Sequence, residues 1–391
     1  MAAVTAVEEA AGLESTAPPR SSRFPALDGL RGLAALAVVS THVGFQTGRS
    51  AEPGPFGALL ARGDFGVTVF FLLSGFLLYR PLSRSAARIP TYVRRRGLRV
   101  LPVYYVAVVV AFLLLPGNEH LDHAEWWEHL LLVQVYLDLQ LPDGLTQMWS
   151  LCTEVAFYVA LPVFAWVVVR VRRARRDVLG GTTDLAALAG LYALGAVWTY
   201  LAADSGFLYP TARLWLPGYA DWFALGMTLA VLHHRSERPT PDRLTTGLRD
   251  LGSAPGTCLS IAVLLLALAC TDLGGPRLLE SPTTFQAVTK HQLYGLSALF
   301  FLLPAVFAPP AGTLWSRVLA SRPLHAVGQV SYSVFALHLV VLYYVVEHVA
   351  GGPFHGHFAA VWLLTVGLSL VVATVSYQVV EKPMIALGRR R

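Results

Sequence analysis

The stretch 28–43, DGLRGLAALAVVSTHV, is an apolar run with two charged residues near its start and a histidine near its end. With its neighbours it reaches the ~20 mostly apolar residues that a helix needs to cross ~30 Å of hydrocarbon. Similar runs follow along the rest of the chain, so the sequence predicts about ten transmembrane helices. The predicted spans lie near 27–46, 64–82, 98–116, 148–170, 183–202, 213–233, 257–271, 291–309, 328–350 and 357–381.

The composition agrees with lipid as the main solvent. Of the 391 residues, 55% are hydrophobic and 14% are charged, whereas soluble domains carry about 25% charged residues. The net charge of +6 does not indicate nucleic acid, because the basic residues lie in short loops between apolar runs. The sequence therefore predicts an all-α, polytopic membrane protein in the cytoplasmic membrane. The stretch 126–138, WWEHLLLVQVYLD, is too short and too charged to span, which favours an interfacial helix.

The distribution of Lys and Arg predicts the orientation. If the N-terminus is cytoplasmic, ten spans leave only Arg49, Arg62, Arg213, Arg277 and Lys290 on the outer side, out of 30 basic residues. Positive charge accumulates in cytoplasmic loops, so both termini are expected inside. The expected domains are a disordered cytoplasmic tail at 1–23, a membrane domain at 24–385 and a basic cytoplasmic tail at 386–391.

Arg31 and His42 lie on one face of the first predicted helix. They are eleven positions apart, or about three turns and ~16 Å along the axis. Arg31 is expected at the cytoplasmic mouth and His42 in the outer half of the membrane. Ionisable residues inside a membrane are costly and usually functional. The alternatives are a snorkelling arginine and a histidine that only hydrogen-bonds a neighbouring helix.

The fourth predicted span places Glu154 inside an apolar helix, with Ser150 and Tyr158 on its face at i−4 and i+4. The predicted topology puts Glu154 at a depth similar to that of His42. A carboxylate beside an imidazole fixes the tautomer and raises the basicity of the ring. The alternatives are a structural buried pair and a neutral, desolvated glutamic acid.

Two further segments each have a structural and a functional interpretation. Ser74 and Gly75 interrupt the second span, where close helix packing is favoured. Arg96 and Arg99 are i, i+3 neighbours that suit phosphate binding, although any cytoplasmic loop is basic.

In the ninth predicted span, Ser331 and His338 share a face, and Tyr332 lies at the inner end; a packing role is favoured for His338. Glu381 is expected to pair with a basic group. Because no four-ligand spacing is present, no metal site is predicted among the outer-loop histidines, which are His120, His123, His129, His355 and His357.

Six stretches together resemble the acyltransferase-3 family of integral membrane O-acyltransferases. Each stretch is short, but the set follows the family order and extends over nearly the whole chain. The resemblance implies that acyl-CoA, with acetyl-CoA as the expected donor, binds on the cytoplasmic side and that a hydroxyl of a glycan, glycolipid or glycosylated natural product is acylated. The stretches are DGLRGLAALAVVSTH (28–42), FFLLSGFLLYR (70–80), RRRGLRVLP (94–102), WSLCTEVAFYVALP (149–162), GQVSYSVFALHL (328–339) and SYQVVEKP (376–383).

By this resemblance, Arg31, Arg96 and Arg99 hold the nucleotide end of acyl-CoA. His42, oriented by Glu154, is expected to take the proton from the acceptor hydroxyl. Direct transfer and an acyl-histidine intermediate both fit this role. Some family members carry an additional hydrolase-like domain, and this chain is expected to complete the transfer with its membrane domain. Four hydroxyls are candidates for substrate or oxyanion contacts: Ser74, Ser150, Tyr158 and Tyr332.

Two other functions remain open from the sequence. One is a transporter or flippase for a lipid-linked sugar that uses His42 and Glu154 as a proton relay. The other is a partner subunit without chemistry. The absence of a clear internal repeat and the basic inner rim favour the enzyme.

Overall fold

The computed structural model describes residues 24–84, 89–137, 141–203, 209–307 and 313–389, and these residues form helices and connecting loops without a strand. The predicted tail at 1–23 and the last two residues of the predicted basic tail lie outside this range. The α-helices are α1 Pro25–Gln46, α2 Pro55–Ala61, α3 Phe65–Leu82, α4 Ile89–Leu114, α5 His123–Leu130, α6 Met148–Ala174, α7 Thr182–Ala203, α8 Ala220–Ser236, α9 Arg243–Gly252, α10 Pro255–Ala269, α11 Thr284–Phe307, α12 Leu314–Leu319, α13 Arg322–Val345, α14 Phe358–Ser376 and α15 Lys382–Arg389.

A helix lies at each of the ten predicted spans, although α8 has 17 residues and α10 has 15. Six helices, counted with their π-helical extensions, are long and apolar enough to cross a membrane: Phe65–Leu82, Ile89–Leu114, Met148–Ala174, Thr182–Ala203, Arg322–Ala350 and Phe358–Arg389. A seventh is added if α9 and α10, which are bent by 84°, form one span. The described chain is thus all-α with six to seven candidate membrane spans, and the count of ten stays a prediction.

Several predicted boundaries differ from the structure; α4 begins at Ile89 rather than near 98, and α11 begins at Thr284 rather than near 291. The sixth span was placed from 213, but α8 begins at Ala220 because Pro210 and Pro217 lie in 3₁₀ turns before it; proline lacks the N–H that a helix interior needs. The interfacial helix predicted at 126–138 is α5, which starts earlier with a capping box between Asp122 and Glu125. It also ends earlier, because Leu132 adopts a left-handed φ of 58°.

Close helix crossings bring the site-bearing helices together. A Cβ on Gly328 of α13 would overlap the carbonyl oxygen of Asp28 in α1, so only glycine permits this approach. The same holds where Gly75 of α3 faces the Phe223 carbonyl of α8. The packing role predicted for Gly75 is confirmed. A third close approach joins α3 to α1, where a Cβ on Gly66 would overlap the Ala34 carbonyl oxygen. Helices α1, α3 and α13 thus surround a shared interior, and α4 and α6 complete its wall.

Candidate active site

A cavity of about 70 Å³, here called the basic cavity, lies between α1, α3, α4, α6 and α13. Every site residue predicted from the sequence lines it, with the exception of His42. The helices therefore gather side chains that are far apart in sequence into one internal site. Its lining residues are Arg31, Val67, Phe70, Phe71, Ser74, Arg96, Arg99, Val100, Ser150, Leu151, Glu154, Tyr158, Ser331, Tyr332 and Phe335.

Glu154 is held by two hydroxyl groups in the basic cavity. Its Oε1 accepts a hydrogen bond from Ser74 Oγ at 2.5 Å and another from Tyr158 Oη at 2.7 Å. The i+4 relation to Tyr158 follows from the helix period, as the sequence predicted. The bond from Ser74 gives this serine a polar partner on another helix, in addition to the close packing of its neighbour Gly75.

Three arginines put positive charge on the basic cavity. Arg31 forms an ion pair with Asp28, with Nη1 at 3.2 Å from Oδ1. The side chains of Arg96 and Arg99 have neither a hydrogen bond nor an ion pair to any described residue. Guanidinium groups with unused donors, gathered beside a cavity, suit an anionic ligand such as a phosphate.

The second basic stretch, 170–176, has a structural role at Arg172. Arg172 Nη1 lies 2.9 Å from Asp184 Oδ1, and Nη2 donates to the Ser83 carbonyl, so this arginine ties α6 to α7 and to the end of α3. In the following loop, hydrogen bonds from Thr183 lower the pKa of Asp177 to about 2. Arg172 therefore differs from Arg96 and Arg99, which have no such partner.

The candidate hydroxyls use their hydrogens within the protein. Tyr332 Oη donates to the Val100 carbonyl at 2.7 Å, and Ser150 Oγ donates to the Gln147 carbonyl at 3.2 Å. Ser74 and Tyr158 donate to Glu154. A hydroxyl has one hydrogen to give. In this arrangement none of the four can also donate to an oxyanion, whereas Arg96 and Arg99 can.

His42 lines a second cavity of about 680 Å³, here called the histidine cavity. Its wall contains three carboxylates, Asp64, Asp143 and Glu347, and no Lys or Arg among the described lining residues. Val67 and Phe335 line both cavities. The two cavities are therefore neighbours, and these two side chains form part of the wall between them.

The structure does not pair Glu154 with His42. The α6 face with Ser150, Glu154 and Tyr158 lines the basic cavity, whereas Trp149 lines the histidine cavity. Similar depth in the membrane does not bring two side chains together when they face different cavities. Among the described residues, no hydrogen bond or ion pair joins the two.

The ring beside His42 belongs to His338, with ring centroids 5.3 Å apart. His338 is fully buried, and its Nδ1 lies 2.9 Å from the Phe335 carbonyl and 3.1 Å from the Val334 carbonyl. Carbonyls only accept, so Nδ1 carries the proton, and Nε2 has no partner. Sequence reasoning assigned this histidine to packing. The available signal was a second intramembrane histidine on a helix with a polar face.

Two weaker predictions concerned Glu381 and a metal. Glu381 is buried and accepts a hydrogen bond from Ser333 Oγ at 3.1 Å. No ion pair joins Glu381 to a basic side chain in the described part of the chain, and Arg99 and Arg31 are the basic groups whose charge acts on its carboxylate. Over the described ranges, no group of three or more His, Cys, Asp or Glu side chains is arranged to hold a metal ion.

A helical fold with candidate membrane spans and two adjoining cavities between its helices defines a polytopic membrane protein. The sequence matches the acyltransferase domain of the acyltransferase-3 family over residues 24–378. The chain therefore belongs to this family of membrane acyltransferases.

The relatives fall into two groups by length. The acyltransferase MdmB of Streptomyces mycarofaciens is 27% identical, over 96% of this chain and 95% of MdmB. The peptidoglycan O-acetyltransferase OatA of Listeria monocytogenes is 25% identical, over 92% of this chain and 55% of OatA. YrhL of Bacillus subtilis is 25% identical, over 94% of this chain and 56% of YrhL. The chain thus spans little more than half the length of OatA and YrhL.

Proposed function

We propose that this protein transfers an acyl group from acyl-CoA, bound at the cytoplasmic face, to a hydroxyl of a glycan, glycolipid or glycosylated natural product. The observation that carries the proposal is the pair of adjoining cavities. One has three arginines and the other has a histidine, and they share Val67 and Phe335. A donor and an acceptor can enter from different sides and meet at this shared wall.

The basic cavity suits the donor. Its charge complements the phosphates of acyl-CoA, and Arg96 and Arg99 have donors to spare. Its volume of about 70 Å³ has room for only a few water molecules, so the nucleotide is too large to enter. We place the nucleotide at the mouth of the cavity, where Arg31 begins the first span. The predicted ten-span arrangement, with both termini cytoplasmic, puts this mouth on the acyl-CoA side of the cytoplasmic membrane.

The histidine cavity suits the acceptor. His42 lies ~16 Å along α1 from Arg31, which is a distance that an extended thioester arm must cross. As general base, neutral His42 takes the proton from the acceptor hydroxyl while the oxygen attacks the thioester carbonyl. The carbon–sulfur bond then breaks, and the CoA thiolate leaves with the proton returned by the imidazolium. In the alternative with an acyl-histidine intermediate, His42 itself attacks the thioester carbonyl carbon, CoA leaves, and the acceptor hydroxyl then takes the acyl group from His42.

Family membership supports the enzyme over the transporter. The proton relay of the transporter hypothesis needs His42 and Glu154 together, and Glu154 is instead bonded to Ser74 and Tyr158. MdmB is named an acyltransferase and OatA a peptidoglycan O-acetyltransferase, which supports hydroxyl acylation here.

The test uses the purified chain in nanodiscs with acetyl-CoA and longer acyl-CoA donors. We expect CoA thiol release that depends on an added glycoside, with the acylated product identified by mass spectrometry. CoA release that no acceptor stimulates, with no acylated product from any donor, would exclude the transferase. A transporter would move glycoside across a vesicle membrane without releasing CoA.

A further inference from the structure

Among the described residues, the charged side chains that line the histidine cavity are the carboxylates of Asp64, Asp143 and Glu347. From this we infer the class of acceptor, on the basis of the function proposed above. We propose that the histidine cavity binds a neutral or ammonium-bearing glycoside with an apolar aglycone and rejects an anionic glycan.

The carboxylates of the histidine cavity are unequally neutralised. Asp64 accepts from Tyr294 Oη at 2.6 Å and lies 3.7 Å from Lys290 Nζ, so a cation balances part of its charge. Asp143 and Glu347 have no ion-pair partner among the described residues, and both line the cavity. A carboxylate or phosphate on the acceptor would meet like charge there, whereas an ammonium would meet opposite charge.

Gln147 adds a buried acceptor that points to a hydroxyl or ammonium ligand. Its Nε2 lies 3.2 Å from the carbonyls of Gly144 and Ala336, which fixes the orientation of the amide. Its Oε1 has no hydrogen-bond partner, although the residue is only 3% exposed. A buried acceptor without a donor is costly. A ligand O–H or N–H can supply that donor, whereas a carboxylate or phosphate group placed at that position cannot.

The remainder of the wall is apolar and aromatic. Phe45, Trp149 and Tyr343 offer aromatic surfaces, and Leu339 and Leu342 add aliphatic ones. Aromatic surfaces bind an ammonium or the apolar part of a ligand. A volume of about 680 Å³ is typical of sites for drug-sized ligands. The cavity therefore suits one sugar with its aglycone.

The test compares phenyl glucoside, phenyl 6-amino-6-deoxyglucoside and phenyl glucuronide, which differ only in the group at C6. We expect kcat/KM for the hydroxyl and ammonium compounds to exceed that of the carboxylate by about tenfold or more, which corresponds to ~1.4 kcal/mol. Glu347→Gln and Asp143→Asn should each reduce the difference, and 0.5 M salt should reduce it in the unaltered protein. Glu280→Gln, at an exposed acid outside the cavity, should not.

A second measurement separates this inference from the proposed function. Binding of each glycoside is followed by its protection of His42 against diethyl pyrocarbonate, read by peptide mass spectrometry. If the neutral and ammonium glycosides protect His42 but no turnover occurs, the ligand preference of the histidine cavity is supported and the transferase function is excluded. Equal protection by the glucuronide, or a difference unchanged in both cavity variants, would overturn the inference.

A separate observation concerns His338. Its Nδ1 proton is used by backbone carbonyls, and its Nε2 is buried without a partner, beside His42. We infer that His338 is a positioning residue for His42. The centroid spacing of 5.3 Å is close to the roughly 5 Å at which two imidazoles share an N–H···N bond. An N–H of His42 turned toward His338 Nε2 leaves the other His42 nitrogen unprotonated to receive the acceptor proton.

Two substitutions separate the positioning role from a packing role. Glutamine at 338 places an acceptor near the Nε2 position, whereas asparagine keeps only a donor near the Nδ1 position. We expect His338→Gln to retain kcat within about tenfold and His338→Asn to lose about a hundredfold, a range typical of lost proton-transfer catalysis. The KM values for acyl-CoA and glycoside should be unchanged in both. An asparagine variant equal to or better than glutamine in kcat, at equal thermal stability, would show that the ring serves only the backbone carbonyls.

Discussion

The basic cavity and the histidine cavity differ in size and in charge. The basic cavity has three arginines and a volume of about 70 Å³, whereas the histidine cavity has three carboxylates and a volume of about 680 Å³. A single cavity with both sets of charges would neutralise itself and attract neither ligand strongly. Under the proposed function, separation behind Val67 and Phe335 would let one site attract an anionic donor and the other a neutral or cationic acceptor. In the predicted arrangement, the two substrates would reach the two cavities from opposite sides of the membrane.

The first prediction, for which labelling should be all or none, concerns the side of the membrane on which each loop lies. Single cysteines at Glu125 and Arg173, in a background without Cys152, Cys258 and Cys270, should react differently with a membrane-impermeant thiol reagent applied to whole cells. Glu125 should be labelled and Arg173 should not, because the predicted arrangement puts them on opposite faces. Permeabilised cells provide the control, in which both cysteines should react. Equal labelling in intact cells, or the reverse, would break the assignment of the cavities to opposite sides.

The next largest effect should follow His42→Gln. Loss of a general base typically costs ~10²–10⁴ in rate, and acyl-CoA binding should persist because the arginines are in the other cavity. His348→Gln, at an exposed histidine, serves as the control. CoA release, acyl-CoA binding and thermal unfolding are measured in parallel. A folded His42→Gln variant with near-normal, acceptor-dependent turnover would remove His42 from the mechanism.

The same experiment tests the separation of Glu154 from His42. Substitutions of residues that act as a unit have non-additive effects on the activation free energy. Substitutions at distant sites without shared partners have additive effects. Glu154 contacts Ser74 and Tyr158 in the basic cavity. We therefore expect the free-energy effects of His42→Gln and Glu154→Gln to add in the double variant. A double variant no slower than His42→Gln alone would show that Glu154 acts together with His42, as the sequence predicted.

A smaller effect is expected for the arginines. Arg96→Ala or Arg99→Ala should weaken acyl-CoA binding, since each charge-assisted bond contributes ~1.5–3 kcal/mol, or about ten- to 150-fold in affinity. Arg173→Ala, at an exposed arginine of the other basic stretch, should leave affinity unchanged. Titration with a non-hydrolysable acyl-CoA analogue gives the affinities. Unchanged acyl-CoA affinity in folded Arg96 and Arg99 variants would show that these arginines do not bind acyl-CoA and only mark the loop as cytoplasmic.

Helix positions and one face of the site follow from the sequence, because both depend on local periodicity. Apolar runs predict the helices, and the i, i+4 spacing predicts the contact of Glu154 with Tyr158. The His42–His338 contact could not be predicted in this way. It depends on which helix crosses α1, and that crossing is fixed by the fit of Gly328 against Asp28. The cavity that Glu154 faces is likewise a property of helix packing rather than of one helix.

The smallest predicted effect concerns the wall between the cavities. Phe335 packs edge-on against Phe70 at 6.1 Å and lies beside His338 at 6.2 Å between ring centroids. Because it lines both cavities, we expect its ring to limit the acyl group that can pass from the basic cavity toward His42. Phe335→Leu keeps an apolar side chain but removes the ring. We expect the kcat/KM for butyryl-CoA relative to acetyl-CoA to rise by up to about tenfold, at the low end of what one or two methylenes contribute in a pocket. Phe307→Leu, at a similarly buried ring outside both cavities, should leave the ratio unchanged. A ratio that is the same in the Phe335 and Phe307 variants would mean that the acyl group does not pass this wall, and the two cavities would then not be successive compartments of one transfer.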